Sequence, residues 1–412
     1  MAQATLSKFD YQVRDKGGNL KSGQLEADSQ QAVASKLASM GYAPVKIEEV
    51  KESGLQMEIK IPGLSDRVKL KDLAIFSRQF ATMINSGLSL IRSLSILAEQ
   101  TENKKLCEVI ADVRGKVEAG SDLSSAMAEH PKVFPKLFIA MVRAGEAAGM
   151  LDQVLLRVAE MFEKDVKLRA KVKSAMTYPV IVLVMAVLLT AVMLIFIVPV
   201  FEQMFIDLGG DLPLLTQMLV NASEFLASWY GMLTFVGVPV ALWFGYKRIR
   251  DSEKGRYAID ALKLKAPVFG PLFHKIALTR FARNLGTLMK AGVPILQALE
   301  ITAETVNNGP IAHAVGDVQD SVRQGESINA PLSQHEIFPP MVVQMIAVGE
   351  ETGNVDGMLE KISDFYDTEI EQTTEQLTAM MEPLMIGVIG GIVGGMVIAL
   401  YMPMFQIFDM IE

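Results

Sequence analysis

The carboxylates whose placement most needs a chemical reason sit in two matching segments, Gly145-Glu146-Ala147-Ala148-Gly149 and Gly349-Glu350-Glu351-Thr352-Gly353. Each puts a glutamate three residues before a glycine suited to ending a helix. A carboxylate near a helix C-terminus meets the negative end of the helix dipole, so two such residues call for a compensating donor. Arg143, three residues before Glu146, is a candidate in the first segment, but its counterpart in the second is Ala347, so Glu350 needs another donor. Two readings stand for Glu146, Gly149, Glu350 and Gly353: a helix end followed by a turn, and an element that binds a partner.

Little else in the chain is arranged for reaction chemistry. His130, His274, His313 and His335 are scattered without metal-ligand spacing; His335-Glu336 lacks the second histidine of a zinc-protease helix, and Pro339-Pro340 would break that helix. No catalytic residue, metal or cofactor is predicted. There is no Gly-x-x-x-x-Gly-Lys-[Ser/Thr] phosphate loop, so any mechanical work must be driven by a partner. Cys107 is the single cysteine, which excludes an intramolecular disulfide and suits a reducing compartment. Gly387, Gly390, Gly391, Gly394 and Gly395 lie in an apolar run, where small-residue spacing favours close helix packing over a ligand loop. Whether the neighbouring helix belongs to this chain or to a partner is open.

The elements that carry these residues are duplicated. Phe134-Pro135, the first glycine-glutamate segment, Pro179 and Pro199-Val200-Phe201 recur 204 positions later as Phe338-Pro339, the second segment, Pro383 and Pro403-Met404-Phe405. Upstream the offset is 205, pairing Phe76 with Phe281, Arg78 with Arg283, Gly87 with Gly292 and Gly120 with Gly325. A repeat of this length is one structural unit used twice. Within the first copy, Leu73, Phe76, Phe80 and Met83 share one helical stripe, and Leu106, Val109, Ile110 and Val113 another. Six helices per copy are predicted, the last running into a membrane span.

Half of the 412 residues are hydrophobic and 21% are charged, a mixture of soluble and membrane segments. Uncharged runs at 179–201, 225–246 and 383–408 are long enough to cross a hydrocarbon core of about 30 Å. Lys164, Lys167, Arg169, Lys171 and Lys173 precede the first run, and Lys247, Arg248, Arg250, Lys254 and Arg256 follow the second. The connection between them holds Glu202, Asp207, Asp211 and Glu224 with no Lys or Arg, so the positive-inside rule puts it outside and the N-terminus in the cytoplasm. The unrepeated second span then returns the chain, so both helical units face the cytoplasm. The first fifteen residues lack the apolar core of a signal peptide. Ahead of the repeat, alternation at Phe9, Tyr11 and Val13, turn residues at 15–19, a returning segment 20–27, a helix capped by Asp28 and ended by Gly41, and Val45 and Ile47 predict a ββαβ module.

The paired Gly-Glu-x-x-Gly segments and the paired proline-bounded spans carry a resemblance, together with Phe9, Tyr11, Gly18, Gly23, Glu26 and Ala27 near the N-terminus. Across essentially the whole chain the sequence resembles the inner-membrane platform proteins of type IV pilus assembly and type II secretion, and within them the pilus branch of the mannose-sensitive haemagglutinin type. The resemblance implies a non-enzymatic platform that couples a cytoplasmic hexameric ATPase to pilin insertion at the filament base. Implied partners are that assembly ATPase, a retraction ATPase, pilin or pseudopilin, other inner-membrane assembly proteins, the lipid bilayer and further copies of the chain.

The expected architecture is thus a mainly α membrane protein: a small N-terminal α+β module (1–50), a linker (51–67), two duplicated cytoplasmic six-helix bundles (68–178 and 272–382) and three transmembrane helices (179–201, 225–246 and 383–408). The connection 202–224 and tail 409–412 are periplasmic, and 247–271 is a cytoplasmic connector. A type II secretion platform is the alternative function. A transporter is a more distant one, because its spans should carry ionisable groups along a pathway. A scaffold recruiting cytoplasmic enzymes is another, separated by whether an ATPase and pilin copurify. The net charge of −8, without a basic domain, argues against nucleic acid.

The two copies differ in charge. Residues 68–178 hold 17 Lys/Arg and 13 Asp/Glu, net +4, and residues 272–382 hold 6 and 16, net −10. At equivalent positions Lys167 faces Glu371 and Lys171 faces Glu375 in the repeat, one helical turn apart. Lipid headgroups would explain the lysines and leave the acids unexplained. The expectation is that the two approach helices lie side by side and pair these charges. Topology is directly testable: reporter fusions or cysteine labelling should put Met1 in the cytoplasm and Gly209 and Glu412 outside, and a cytoplasmic signal at position 209 would overturn the arrangement.

Overall fold

The computed structural model describes residues 7–14, 20–27, 30–39, 41–49, 67–207, 212–250 and 252–411. The turn at 15–19, the Asp28 cap, the linker through residue 66, Gly209 and Glu412 lie outside them. The chain divides into two units, 1–67 and 68–412.

In the first unit, strand β1 (Ser7–Arg14) pairs antiparallel with β2 (Leu20–Ala27) and with β3 (Ala43–Glu49), giving the order β2-β1-β3. Helix α1 (Gln30–Ser39) lies between β2 and β3 in sequence and ends before Gly41, whose φ of 81° is left-handed. Val13 of β1 and Val33 and Leu37 of α1 are buried together, with Tyr11, Leu25 and Tyr42 against them.

The second unit opens with α2 (Leu70–Asn85), α3 (Leu90–Gln100), α4 (Lys104–Glu118), α5 (Leu123–Ala128), α6 (Lys136–Ala148) and α7 (Leu151–Val192). Local chemistry sets these limits. Asn103 caps α4 by accepting from the Leu106 N–H at 3.1 Å, and Gly149 stops α6 with φ of 67°. The stripes meet in a line of buried rings, Phe80, Phe76, Phe134, Phe138 and Phe162, whose successive centroids are 5.3 to 5.9 Å apart. Aromatic burial of this kind dominates core energetics.

A five-residue π turn, Met193–Ile197, then leads into α8 (Val198–Asp207), so the helix is continuous from 151 to 207. The turn falls just before Pro199, whose ring clashes with the carbonyl four residues back and cannot donate to it; widening the helix relieves both. The chain returns through α9 (Leu214–Ala227) and α10 (Trp229–Arg250). The stretch 225–246 is therefore not one helix, because Ser228 separates α9 from α10. The connection 202–224 is largely helical as well. Its α9 packs on both other spans: Ser223 donates to the Leu194 carbonyl in the π turn, and Thr216 to the Ala399 carbonyl.

After α11 (Glu253–Lys265) the six-helix pattern repeats as α12 (Gly270–Lys290), α13 (Ile295–Thr305), α14 (Gly309–Arg323), α15 (Asn329–Ser333), α16 (Pro340–Thr352) and α17 (Val355–Ile411). Asn308 caps α14 as Asn103 caps α4, and Gly353 stops α16 with φ of 68°. Among the described residues, three helices are long and apolar enough to cross a membrane: the α7 to α8 rod, α10 and α17.

Each bundle ties its first helix to its last by the same ion pair. Arg78 on α2 donates Nε and Nη2 to Glu163 on α7 at 2.6 and 2.7 Å, and Arg283 on α12 donates Nη2 to Asp367 on α17 at 2.6 and 2.5 Å. The hydrogen bond to Arg78, and then its charge, hold the Glu163 carboxyl below the ordinary glutamate value. A depressed folded value contributes stability above about pH 4.3, which is lost as pH falls through the folded value. The two pairs differ in burial: the Arg78 and Glu163 side chains are 35% and 36% exposed, those of Arg283 and Asp367 7% and 30%. Asp367→Ala strands a buried guanidinium and should cost about 3–5 kcal/mol. Glu163→Ala should cost about 0–1 kcal/mol near neutral pH. Thermal unfolding in detergent tests the ranking; Glu163→Ala as damaging as Asp367→Ala would overturn the burial argument, and its deficit should vanish in acid.

Candidate functional site

Both glycine-glutamate segments resolve into the same local structure. Glu146 accepts from the backbone N–H groups of Leu123 and Ser124 at 2.6 and 3.0 Å, the first two residues of α5. Glu350 accepts from Ile328 and Asn329 at 2.5 and 3.1 Å, at the start of α15. The compensating donors are thus the free N–H groups of a neighbouring helix N-terminus, where a carboxylate is favoured. Arg143 is not the partner of Glu146. Sequence alone missed this because the acceptor and its donors lie 21 to 23 residues apart, beyond any local motif.

The glycines have separate duties. Gly149 and Gly353 supply the left-handed helix ends. Gly145 and Gly349 allow the next helix to cross closely: a Cβ there would lie 3.0 Å from Val154 Cβ and 2.9 Å from Val355 Cα. Every fixed position of the segment has an intramolecular role.

Where the two copies meet, α7 runs beside α17. Lys164 pairs with Asp364 at 2.7 Å and Lys171 with Glu371 at 2.5 Å. Both pairs are separated by 200 positions, so the helices are parallel. Farther from the spans, Lys136 on α6 pairs with Glu304 on α13 at 2.8 Å, and Arg157 donates to the Lys290 carbonyl. In each of the three ion pairs the base belongs to the first copy and the acid to the second, which accounts for part of the opposite net charges.

The register differs by one turn from that of the repeat. Lys171 meets Glu371 rather than Glu375, and Lys167 forms no ion pair with a described residue; its charge contributes to holding Glu163 ionised, after Arg78. Glu375 lines, with Glu371, Glu382 and Lys171, a cleft of about 530 Å³ between the two helices where they approach the spans. Packing rather than repeat equivalence sets which residues face one another.

Beyond the cleft, the spans of α7 and α17 face each other across an apolar gap of about 220 Å³ lined by Ala186, Leu189, Met193, Ile389, Ile392 and Met396. The glycine run is elsewhere on α17. A Cβ at Gly387, Gly390, Gly391, Gly394 or Gly395 would meet no atom within 4 Å. The close approach expected at these glycines is made to no described helix of this chain.

The Arg78–Glu163 and Arg283–Asp367 pairs were missed by sequence reasoning, although all four positions obey the repeat offsets, 205 for the arginines and 204 for the acids. A carboxylate retained at Glu163 and Asp367 beside the repeated arginine was the available signal.

Two matching bundles, clasped along the helices that become spans, define a polytopic membrane protein whose built features are interfaces between helices. The family model "Type II secretion system (T2SS), protein F" matches residues 76–199 and 281–403, and "Type II secretion system protein F, N-terminal domain" matches residues 1–48. The chain belongs to the type II secretion system protein F family. Its relatives include a type IV pilus assembly protein PilC of Myxococcus xanthus, 44% identical over 97% of this chain and 95% of its own length. A second, from Thermus thermophilus, is 44% identical over 97% and 98%. A type II secretion system protein F of Vibrio cholerae is 33% identical over 89% and 90%.

The observed register dictates a two-site charge exchange. Lys171→Glu should weaken assembly of the machinery, and adding Glu371→Lys should restore it at least partly, whereas Glu375→Lys should not. The effect on unfolding should stay within about 1 kcal/mol, because both side chains are exposed. Equal rescue by either lysine would overturn the register.

Proposed function

We propose that the chain is the inner-membrane platform of a type IV pilus assembly machine, with its bundles in the cytoplasm and its N-terminus on the same side. It couples a cytoplasmic assembly ATPase to insertion of pilin at the filament base. The full-length similarity to two PilC proteins favours the pilus reading. The observation that carries the coupling is the continuity of α7 through α8 and of α17, each running unbroken from a bundle into a span. A force applied by a partner to either bundle therefore reaches the membrane through hydrogen-bonded helix, with no flexible linker to absorb it.

The platform recruits the ATPase, and a retraction ATPase, on its cytoplasmic bundles, meets pilin and other inner-membrane assembly proteins along its spans, and acts as a homo-oligomer. The glycine face of α17 supports the contact with a partner helix, since it is open along its length and small side chains permit close backbone approach. A type II secretion platform is the second reading, favoured by the protein F relative from Vibrio cholerae. Copurification distinguishes the two: a pilus ATPase and pilin should accompany the chain, and recovery of pseudopilins alone would favour secretion.

Gly391→Leu gives a clean test of the glycine face, because the new side chain has open space within the chain. The more apolar span should still insert, and filament assembly should be lost through the blocked partner helix. Normal piliation in a stably inserted variant would remove the packing role.

A further inference from the structure

Between the two bundles lies a cavity of about 160 Å³ with an unusual charge content. Arg169 enters it from α7 and Arg280 and Arg283 from α12, with Asp165 as the one acid in its lining. Asp165 is engaged, accepting from Arg169 Nη2 at 3.1 Å. Asp367, outside the lining, takes Nη2 of Arg283, and Ser363 takes its Nε at 3.2 Å. Nη1 of Arg283 is buried and has no hydrogen-bond partner among the described residues. Arg280 makes neither an ion pair nor a hydrogen bond with any described residue. Burial lowers the Arg280 pKa against the pull of Asp165, and the charges of Arg169 and Arg283 lower it further.

The six-helix fold does not demand this arrangement. The residue of the first copy equivalent to Arg280 is Ile75, which is exposed, and the residue of the second copy equivalent to Arg169 is Thr373. The three guanidiniums come together only because the two copies are apposed. Arg169 is exposed and paired with Asp165, and Arg283 is held by Asp367. That leaves Arg280 and the Nη1 of Arg283 withdrawn from water without a hydrogen-bond partner among the described residues, and such groups are ordinarily satisfied. An anion would satisfy them here.

We propose that this cavity is an anion site for a phosphate group, bridging Arg169 of the first bundle to Arg280 and Arg283 of the second. Guanidinium forks match the tetrahedral oxygens of phosphate, and Asn284, also in the lining, donates its amide to Thr305 Oγ1 at 3.0 Å. The volume holds a phosphate group with a water or two, each water needing about 30 Å³, and is too small to enclose a nucleotide. Occupancy would draw α7 and α12 together and so fix one bundle against the other.

The test uses the purified full chain in detergent micelles and calorimetric titration with inorganic phosphate, ionic strength being held constant with chloride. Saturable binding at one site per chain is expected, weakened roughly ten- to a hundredfold by Arg280→Ile, which installs the residue of the first copy. Arg92→Ile, on the exposed face of α3, should leave affinity unchanged. Without phosphate, Arg280→Ile should melt no lower than the parent chain, since it removes an unpaired cation. If that variant does not fold, Arg169→Gln takes its place with the same expected loss. A parallel titration with a nucleoside monophosphate separates the sources: tighter binding than inorganic phosphate indicates a phosphomonoester ligand, and weaker binding the free ion. Absence of saturable binding by the parent chain, or undiminished binding by the folded variants, would overturn the site.

Discussion

Two parallel helices that pass from bundle to membrane without a break constrain everything else in this chain. Once α7 and α17 run side by side, the last helix of each bundle and the span that follows it are one body, and the bundles must meet along them. The pairs Lys164–Asp364 and Lys171–Glu371 hold that apposition. Each is exposed and contributes about 0–1 kcal/mol, so their effect is on which turn of one helix faces which turn of the other. Register of this kind is cheap to specify with charges, because a one-turn slip sets lysine against the wrong neighbour and gains nothing in packing.

Within each bundle the stabilising work falls to features that are individually ordinary and repeated faithfully. A ring cluster fills the first core, an arginine fork joins its first and last helices, and a glutamate closes the N-terminus of its shortest helix. The second bundle keeps the fork and the glutamate but replaces the outer rings by Leu285, Val342 and Tyr366, all buried. Burial is kept at each of these positions while the identity, and in two cases the size, of the core residue changes. The surfaces have diverged much further, from net +4 to net −10, and three base–acid pairs between the copies use part of that difference.

The membrane portion is built on a different economy. Most apolar side chains of the spans are exposed within the chain, and α9 contacts the other two spans through Ser223 and Thr216, hydrogen bonding to main-chain carbonyls. In hydrocarbon there is no hydrophobic gain between helices, so association depends on such polar contacts and on close approach of small residues. The open glycine face of α17 fits the same rule and is the part of the membrane surface best suited to another helix.

Much of this was legible in the sequence because it depends on short-range pattern. Six helices per copy follow from the apolar period, the ends of two of them from Gly149 and Gly353, and the spans from uncharged runs of sufficient length. The duplication is visible as a constant offset, and the charge contrast between the copies announces that they meet. What the sequence could not decide is which residues face one another across that meeting. Glu146 and Glu350 find their donors 21 to 23 positions away at the start of another helix, where Arg143 had looked the nearer choice for Glu146. Lys171 pairs with Glu371 and not Glu375, because steric packing of two helices fixes a register that repeat equivalence does not encode. Arg169 carries no motif; it meets Arg280 and Arg283, more than a hundred residues away in the chain, only when the two bundles are brought together in space.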